Sequence, residues 1–126
     1  MVPPAAGPVR PVRAMLTMRV PSEAAHQFER EWAQVARWVA GQHGCVRQTL
    51  SRVHDSGDPV YMLISDWSDL PAFRRFERSR RQDEVTAGLR ALRTSARMEV
   101  AAIVEHREKP AGGQAATAPG PECNVR

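Results

Sequence analysis

Apolar side chains recur at regular spacing along most of this chain, and the period switches between that of a strand and that of a helix. In "VRAMLTMRV", residues 12 to 20, Val12, Ala14, Leu16, Met18 and Val20 alternate with Arg13, Met15, Thr17 and Arg19. A period of two places the first set on one face of a strand and the second set on the other. Pro21 ends that strand, and Ser22 with Glu23 predicts a helix start from a cap hydroxyl and a first-turn acid. Ala24, Phe28, Trp32, Val35 and Val39 follow at helical spacing, and Gly41 and Gly44 predict the stop. "CVRQTLSRVH", 45 to 54, and "PVYMLISDW", 59 to 67, read as two strands joined by a "DSGD" hairpin turn. Pro71, just after Ser68 and Asp69, opens a second helix with Leu70, Phe73 and Phe76 on its inner side. That helix breaks near Ser79 and resumes in "QDEVTAGLRALR", and "RMEVAAIVEH", 97 to 106, is a fourth strand.

The resulting order, βαββαβ, predicts a ferredoxin-like α+β domain: an antiparallel sheet with helices on one face. The uncovered face would carry Met15, Thr17, Met62 and Ile64. An open, half-apolar sheet in a domain of about 95 residues is marginal alone, so face-to-face pairing of two sheets, a homodimer, is expected. The domain spans residues 12 to 107. Residues 1 to 11, with four prolines, and residues 108 to 126, rich in Pro, Gly and Ala, hold too little apolar surface to offset their ordering entropy and read as disordered tails.

Composition narrows the function classes. No apolar run approaches the roughly 18 residues of a membrane span, and the first residues lack the apolar core of a secretion signal. Cys45 and Cys123 are the only cysteines, and Cys123 falls in a predicted tail, so no structural disulfide is expected and a cytoplasmic location fits. The net charge is +4, and all but one of the 18 basic residues are arginine. Acids are interleaved among them, which weakens a nucleic-acid reading.

The densest charge lies in "SDWSDLPAFRRFERSRR", 65 to 81. With Phe73 and Phe76 turned to the sheet, Arg75 and Arg78 point to water, as on an ordinary solvated helix face. A nucleic-acid surface would instead expose its aromatic rings for stacking. Trp67 ends the third strand in the same parity as Tyr61, Leu63 and Ser65, so it points between sheet and helices. It is either a core tryptophan or a flat wall for a planar ligand, with its N–H as a donor. His26, His43, His54 and His106 show no metal-ligand spacing, and neither cysteine has a close partner. Phosphate-loop, dinucleotide and nucleophile-elbow motifs are missing from the sequence.

With "YMLISDW" running into "SDLPAFRRFERS", and "GCVRQTL" leading into the second strand, the chain resembles the antibiotic biosynthesis monooxygenases of the dimeric α/β-barrel superfamily. The resemblance covers residues 12 to 106. It implies pairing as a dimeric α/β barrel. It also implies activities of that superfamily: oxidation of anthrones or quinols with O2 and no cofactor, haem degradation, or processing of small signalling molecules. Trp67 matches the tryptophan that lines the pocket in the anthrone oxidisers and haem degraders. Phe73 stands where the anthrone oxidisers place a tyrosine, Leu63 where they place an asparagine, and Phe76 and Arg81 where quinol-oxidising relatives have histidines. Loss of the helix histidine argues against haem ligation. The implied pocket is apolar, with Leu16, Met18, Leu63, Trp67, Phe73 and Phe76 as substrate-binding residues. Trp67, Tyr61 and Arg90 are the catalytic candidates, and Arg80 is a further polar partner. The expected function is a small tailoring enzyme of aromatic polyketide biosynthesis, a monooxygenase using O2 with no cofactor and no metal, and with no nucleic-acid or membrane partner. The alternative is a non-oxidative cyclase or aromatase, or a polyketide-binding protein of the same fold.

Overall fold

The computed structural model describes residues 9–54 and 57–111. In chain order it contains strand β1 (Val12–Arg19), one 3-10 turn (Ser22–Ala24), helix α1 (Ala25–Ala40), strands β2 (Cys45–Arg52) and β3 (Val60–Trp67), helices α2 (Leu70–Arg78) and α3 (Arg80–Leu92), and strand β4 (Ser95–Ala102). The sheet order is β2-β3-β1-β4, and every neighbouring pair is antiparallel. This is the ferredoxin-like α+β fold that the βαββαβ order predicts.

The alternation in β1 places Val12, Ala14 and Met18 in the core, joined by Val20 just beyond the strand. Phe28, Val35 and Val39 from α1, Phe73 from α2 and Leu89 from α3 meet them there. Phe28 and Trp67 are fully buried, and each such side chain contributes about 1.5–3 kcal/mol relative to exposure. Met15, Thr17, Met62 and Ile64 lie on the opposite face, half-buried by their strand neighbours, and no described helix packs over them.

One end of that bare face is ionic. Register sets Arg13 and Arg47 opposite Asp66 on either side of β3. Arg13 donates to both carboxylate oxygens of Asp66, Nε at 2.7 Å and Nη2 at 3.0 Å, and Arg47 stands 3.7 Å away. Asp66 is only 3% exposed. Its hydrogen bonds from Arg13 hold the carboxyl below its usual range, against burial that pushes the other way.

Several local expectations are corrected by partners distant in sequence. Ser22 does not cap α1: its N–H and hydroxyl both donate to Asp58 Oδ1, at 3.1 and 3.0 Å, and α1 has no side-chain cap. Gly41 has an ordinary backbone, φ −87°, and the left-handed residue is Gly44, φ +90°. Leu70 does not line the inner side of α2 but is 41% exposed, because it overhangs the first turn. β4 begins at Ser95 and ends at Ala102, short of residue 106: beyond the Val12–Ala102 pair the Ile103 N–H still donates to the Pro11 carbonyl at 2.9 Å, but proline has no N–H to carry the ladder on. Asp55 and Ser56 of the predicted "DSGD" turn, most of the N-terminal tail (1 to 8) and residues 112 to 126 with Cys123 lie outside the described residues.

Candidate active site

A cavity of about 330 Å³ separates the helices from the sheet face they cover. Leu63, Leu16 and Met98 form a row across its floor, since Leu16 pairs with Leu63 on β3 and with Met98 on β4. All three lie on the core side yet remain incompletely buried, as residues beside an unfilled space must. Trp32, Val35 and Val39 of α1 and Leu89 of α3 close the opposite side.

The aromatic wall is positioned by capping. Asp69 Oδ1 accepts from the Ala72 N–H at 2.8 Å, and Pro71 occupies the first turn, so α2 starts where Phe73 and Phe76 face inward one turn apart. At Ser79 the backbone turns extended (ψ 142°), and its Oγ accepts from the Gln82 N–H at 3.0 Å, starting α3. Trp67 packs against Phe76 (centroids 4.7 Å apart) and edge-on against Phe73 (5.7 Å). Its indole N–H donates to Ser65 Oγ at 3.0 Å, so the expected donor to a ligand is already engaged. Trp67 is thus both a core residue and part of the cavity wall.

Leu16, Met18, Leu63, Trp67, Phe73 and Phe76 all border this one space. Tyr61 does not. It stacks on Phe28 (4.8 Å), lies beneath Arg52 (5.9 Å to the ring centroid), and donates its hydroxyl to the Glu29 carboxylate. Burial, and then the Glu29 bond, push its hydroxyl up to about 12, so at neutral pH it is a protonated donor committed to Glu29. Arg80 is exposed and away from the cavity. Arg90 borders the cavity and donates to Thr86 Oγ1 (3.2 Å) and to the Asp83 carbonyl (2.6 Å). Arg75 and Arg78 are exposed, as the inward phenylalanines predict.

The polar lining residues Gln48, Ser65, Glu77, Gln82, Thr86, Arg93 and Arg97 were not among the expected site residues. The hairpin register, which sets Gln48 opposite Ser65, is the signal that finds the first two. Glu77 accepts from Arg74 at 2.9 Å. Arg93 has no side-chain hydrogen bond or ion pair among the described residues, and burial, followed by the neighbouring Arg90, lowers its pKa. The Cys45 thiol is half-buried, and that burial pushes its pKa up. Among the described residues, no cluster of His, Cys, Asp or Glu could hold a metal ion.

Residues 11–88, more than half of the chain, match the family model for antibiotic biosynthesis monooxygenase. The chain belongs to the antibiotic biosynthesis monooxygenase family. Within this monooxygenase family member the matched segment contains Trp67, Phe73 and Phe76, while Arg90, Arg93 and β4 lie beyond it. A variant of SnoaB, a cofactor-independent oxygenase from Streptomyces nogalater, is similar at 28% identity and TM-score 0.69, over 79% of this chain and 99% of that one. A second SnoaB structure gives 26% identity and TM-score 0.63, over 82% and 99%. A candidate antibiotic biosynthesis monooxygenase from Caulobacter crescentus shares the fold at 19% identity and TM-score 0.69, over 77% of this chain and 92% of that one. Among curated proteins, none matches the sequence.

Proposed function

We propose that this chain is a small tailoring enzyme of aromatic polyketide biosynthesis, a cofactor-independent monooxygenase that oxidises an anthrone- or phenol-type ring to a quinone with O2. The observation that carries the reading is the cavity, about 330 Å³ with a wall of Trp67, Phe73 and Phe76, a size and lining suited to a planar apolar ligand. Similarity to SnoaB, a cofactor-independent oxygenase, supports it.

The chemistry places few demands on the protein. The anthrone methylene loses a proton, and the carbanion, delocalised onto the ring oxygen, passes one electron to O2. The radical pair combines as a peroxide anion at that carbon, which takes back a proton to give the hydroperoxide, and loss of the remaining C–H proton with hydroxide, together water, leaves the carbonyl. One oxygen atom ends in the quinone and the other in water. The pocket would hold the ring away from bulk solvent against Trp67, with Arg90 at its border to stabilise the developing oxyanion. One observation favours the alternative, a non-oxidative cyclase or binding protein: Glu77, the only carboxylate lining the cavity among the described residues, is already bound by Arg74.

The reading includes a homodimer through Met15, Thr17, Met62 and Ile64, one domain over residues 12 to 107, and a cytoplasmic location. The test is oxygen uptake with a hydroxylated anthrone, aerobically and anaerobically, against a protein-free control. O2-dependent quinone formation well above the control is expected. Binding of the ring with uptake at the control rate would leave the cyclase or binding-protein reading instead.

A further inference from the structure

Gln82, Thr86 and Arg90 of α3, and Arg93 at its C-terminal end, border the cavity at helical spacing, so they form one polar stripe. Thr86 Oγ1 donates to the Gln82 carbonyl at 2.8 Å and accepts from Arg90 Nε at 3.2 Å. Arg90 Nη2 also donates to the Asp83 carbonyl, so this guanidinium is drawn back along the helix. Arg93 is half-buried and has no side-chain hydrogen bond or ion pair among the described residues. The dipole at a helix C-terminus suits both cations, but it leaves the N–H groups of Arg93 unpaired. A charge withdrawn from water without a partner is unfavourable, and the neighbouring Arg90 adds repulsion. Glu77 is no counter-ion, since Arg74 holds it. Arg97 alternates with Ala96 and Met98 and so leaves β4 on the other face, with Thr17.

The cavity therefore has two unlike ends. Trp67 pairs with Val12 at one end of β1, whereas Ala96 pairs with Met18 toward the other. The Thr94 N–H donates to the Arg19 carbonyl at 2.8 Å, which ties the residue after Arg93 to the Met18 end. Aromatic rings wall the first end, and a cation without a counter-ion borders the second.

We propose that Arg93 is the anion-binding group of this pocket, and that the ligand is a planar ring carrying a carboxylate at its edge. A guanidinium presents two parallel N–H groups that match the two oxygens of a carboxylate. The ring lies over Leu63, Leu16 and Met98 against the aromatic wall, and the carboxylate faces Arg93, with the charge of Arg90 adding to the field. Arg93 binds and orients the ligand and takes no part in proton or electron transfer. The inference rests on the reading of the cavity as the substrate pocket.

The experiment uses the full chain and two probes of the same shape: anthraquinone-2-carboxylate and the neutral anthraquinone-2-carboxamide. Dissociation constants are read from quenching of tryptophan fluorescence. The wild type is expected to prefer the carboxylate by about tenfold or more. Arg93→Gln should cut that preference to about threefold or less, with Arg90 alone remaining, while carboxamide affinity holds. A merely structural role would weaken both probes alike and preserve the ratio, which overturns the proposal. The chain carries a net charge of +4, so general attraction of an acid is controlled with the exposed pair Arg75→Gln and Arg78→Gln, which should keep the full preference. Loss of the preference in that pair overturns the proposal as well. Should Arg93→Gln fail to fold, the wild-type ratio compared with that of the Arg75 and Arg78 variant decides. Equal wild-type affinities overturn this inference alone, whereas no binding of either probe overturns the pocket reading and this inference with it.

Discussion

Trp67 is fully buried and still borders the cavity, so replacing it acts on packing and on ligand contact together. Trp67→Phe keeps an apolar ring against Phe73 and Phe76 but deletes the bond to Ser65 and part of the fill, costing about 1–2 kcal/mol. The expected outcome is a cooperative but lower melting transition and an affinity for planar tricyclic phenols reduced about fivefold to tenfold, because the smaller ring loosens the packing that holds Phe76 in the cavity wall. Calorimetry and titration with the ring measure the two effects separately. Arg75→Gln with Arg78→Gln is the matched control, because both residues are exposed and exposed charges shift stability by under about 0.5 kcal/mol each. Loss of binding in the arginine pair, with Trp67→Phe unaffected, would move the functional surface from the cavity to the helix face.

At the scale of elements, two junctions hold the layers in register. Gly44 leads from α1 into β2 with φ +90°, and a Cβ there would stand 2.5 Å from Ala72 Cβ and 3.1 Å from Ser68 Oγ. Gly44→Ala therefore combines backbone strain with a clash against the start of α2. It should cost about 2 kcal/mol or more, lowering the melting temperature by on the order of 10 °C. Gly57 has the same φ of +90° but nothing within 4 Å of a Cβ, so Gly57→Ala should lose only the backbone part, about 1 kcal/mol. Equal losses at the two glycines would show that the clash is relieved.

Asp66 joins β1, β2 and β3 through Arg13 and Arg47. Its carboxyl is depressed in the fold, so its contribution is full above the ordinary carboxylate pKa of about 4. That contribution is lost as pH falls through the lower folded value. Asp66→Asn should cost about 1–3 kcal/mol at neutral pH, toward the low end because Arg13 keeps 35% of its side chain in solvent. The variant should also show a flatter stability profile below about pH 4 than the wild type. Thermal melts across that range measure both.

For the whole molecule, the uncovered sheet face sets the expectation. Met15, Met62 and Ile64 on one face of a small domain are the kind of patch that a second copy covers. Light scattering at micromolar concentration should report a dimer, and Met15→Lys with Ile64→Lys should shift it to monomer while melting remains cooperative. A wild-type monomer would remove the homodimer from the proposal. Trimming residues 1 to 10 and 110 to 126 should leave melting and ligand affinity unchanged, since the Arg47 contacts to His106 and Glu108 stay in place. A large fall in melting temperature would show that a trimmed segment packs on the domain or its partner. No described helix is long and apolar enough to cross a membrane.

The sequence by itself determined the strands, their faces and the helix break, because each depends on groups within a few residues. Period-two alternation sorts Val12, Ala14 and Met18 from Arg13, Met15 and Thr17, and the Asp69 and Ser79 caps bond only three residues ahead. The resemblance to the monooxygenases, rather than periodicity, named Leu16, Met18, Leu63, Trp67, Phe73 and Phe76 as a pocket, and in the structure all six border one space. Tertiary structure alone decided the rest. Ser22 is diverted by Asp58, and β4 stops where Pro11, opposite Ile103, has no N–H to extend the ladder. Tyr61 and Trp67 share a parity, but they sit at opposite ends of β3: Tyr61 meets Phe28 and Glu29, and Trp67 meets the cavity. Alternation assigns a residue to a face of the sheet, but what it meets on that face depends on helices packed from elsewhere in the chain.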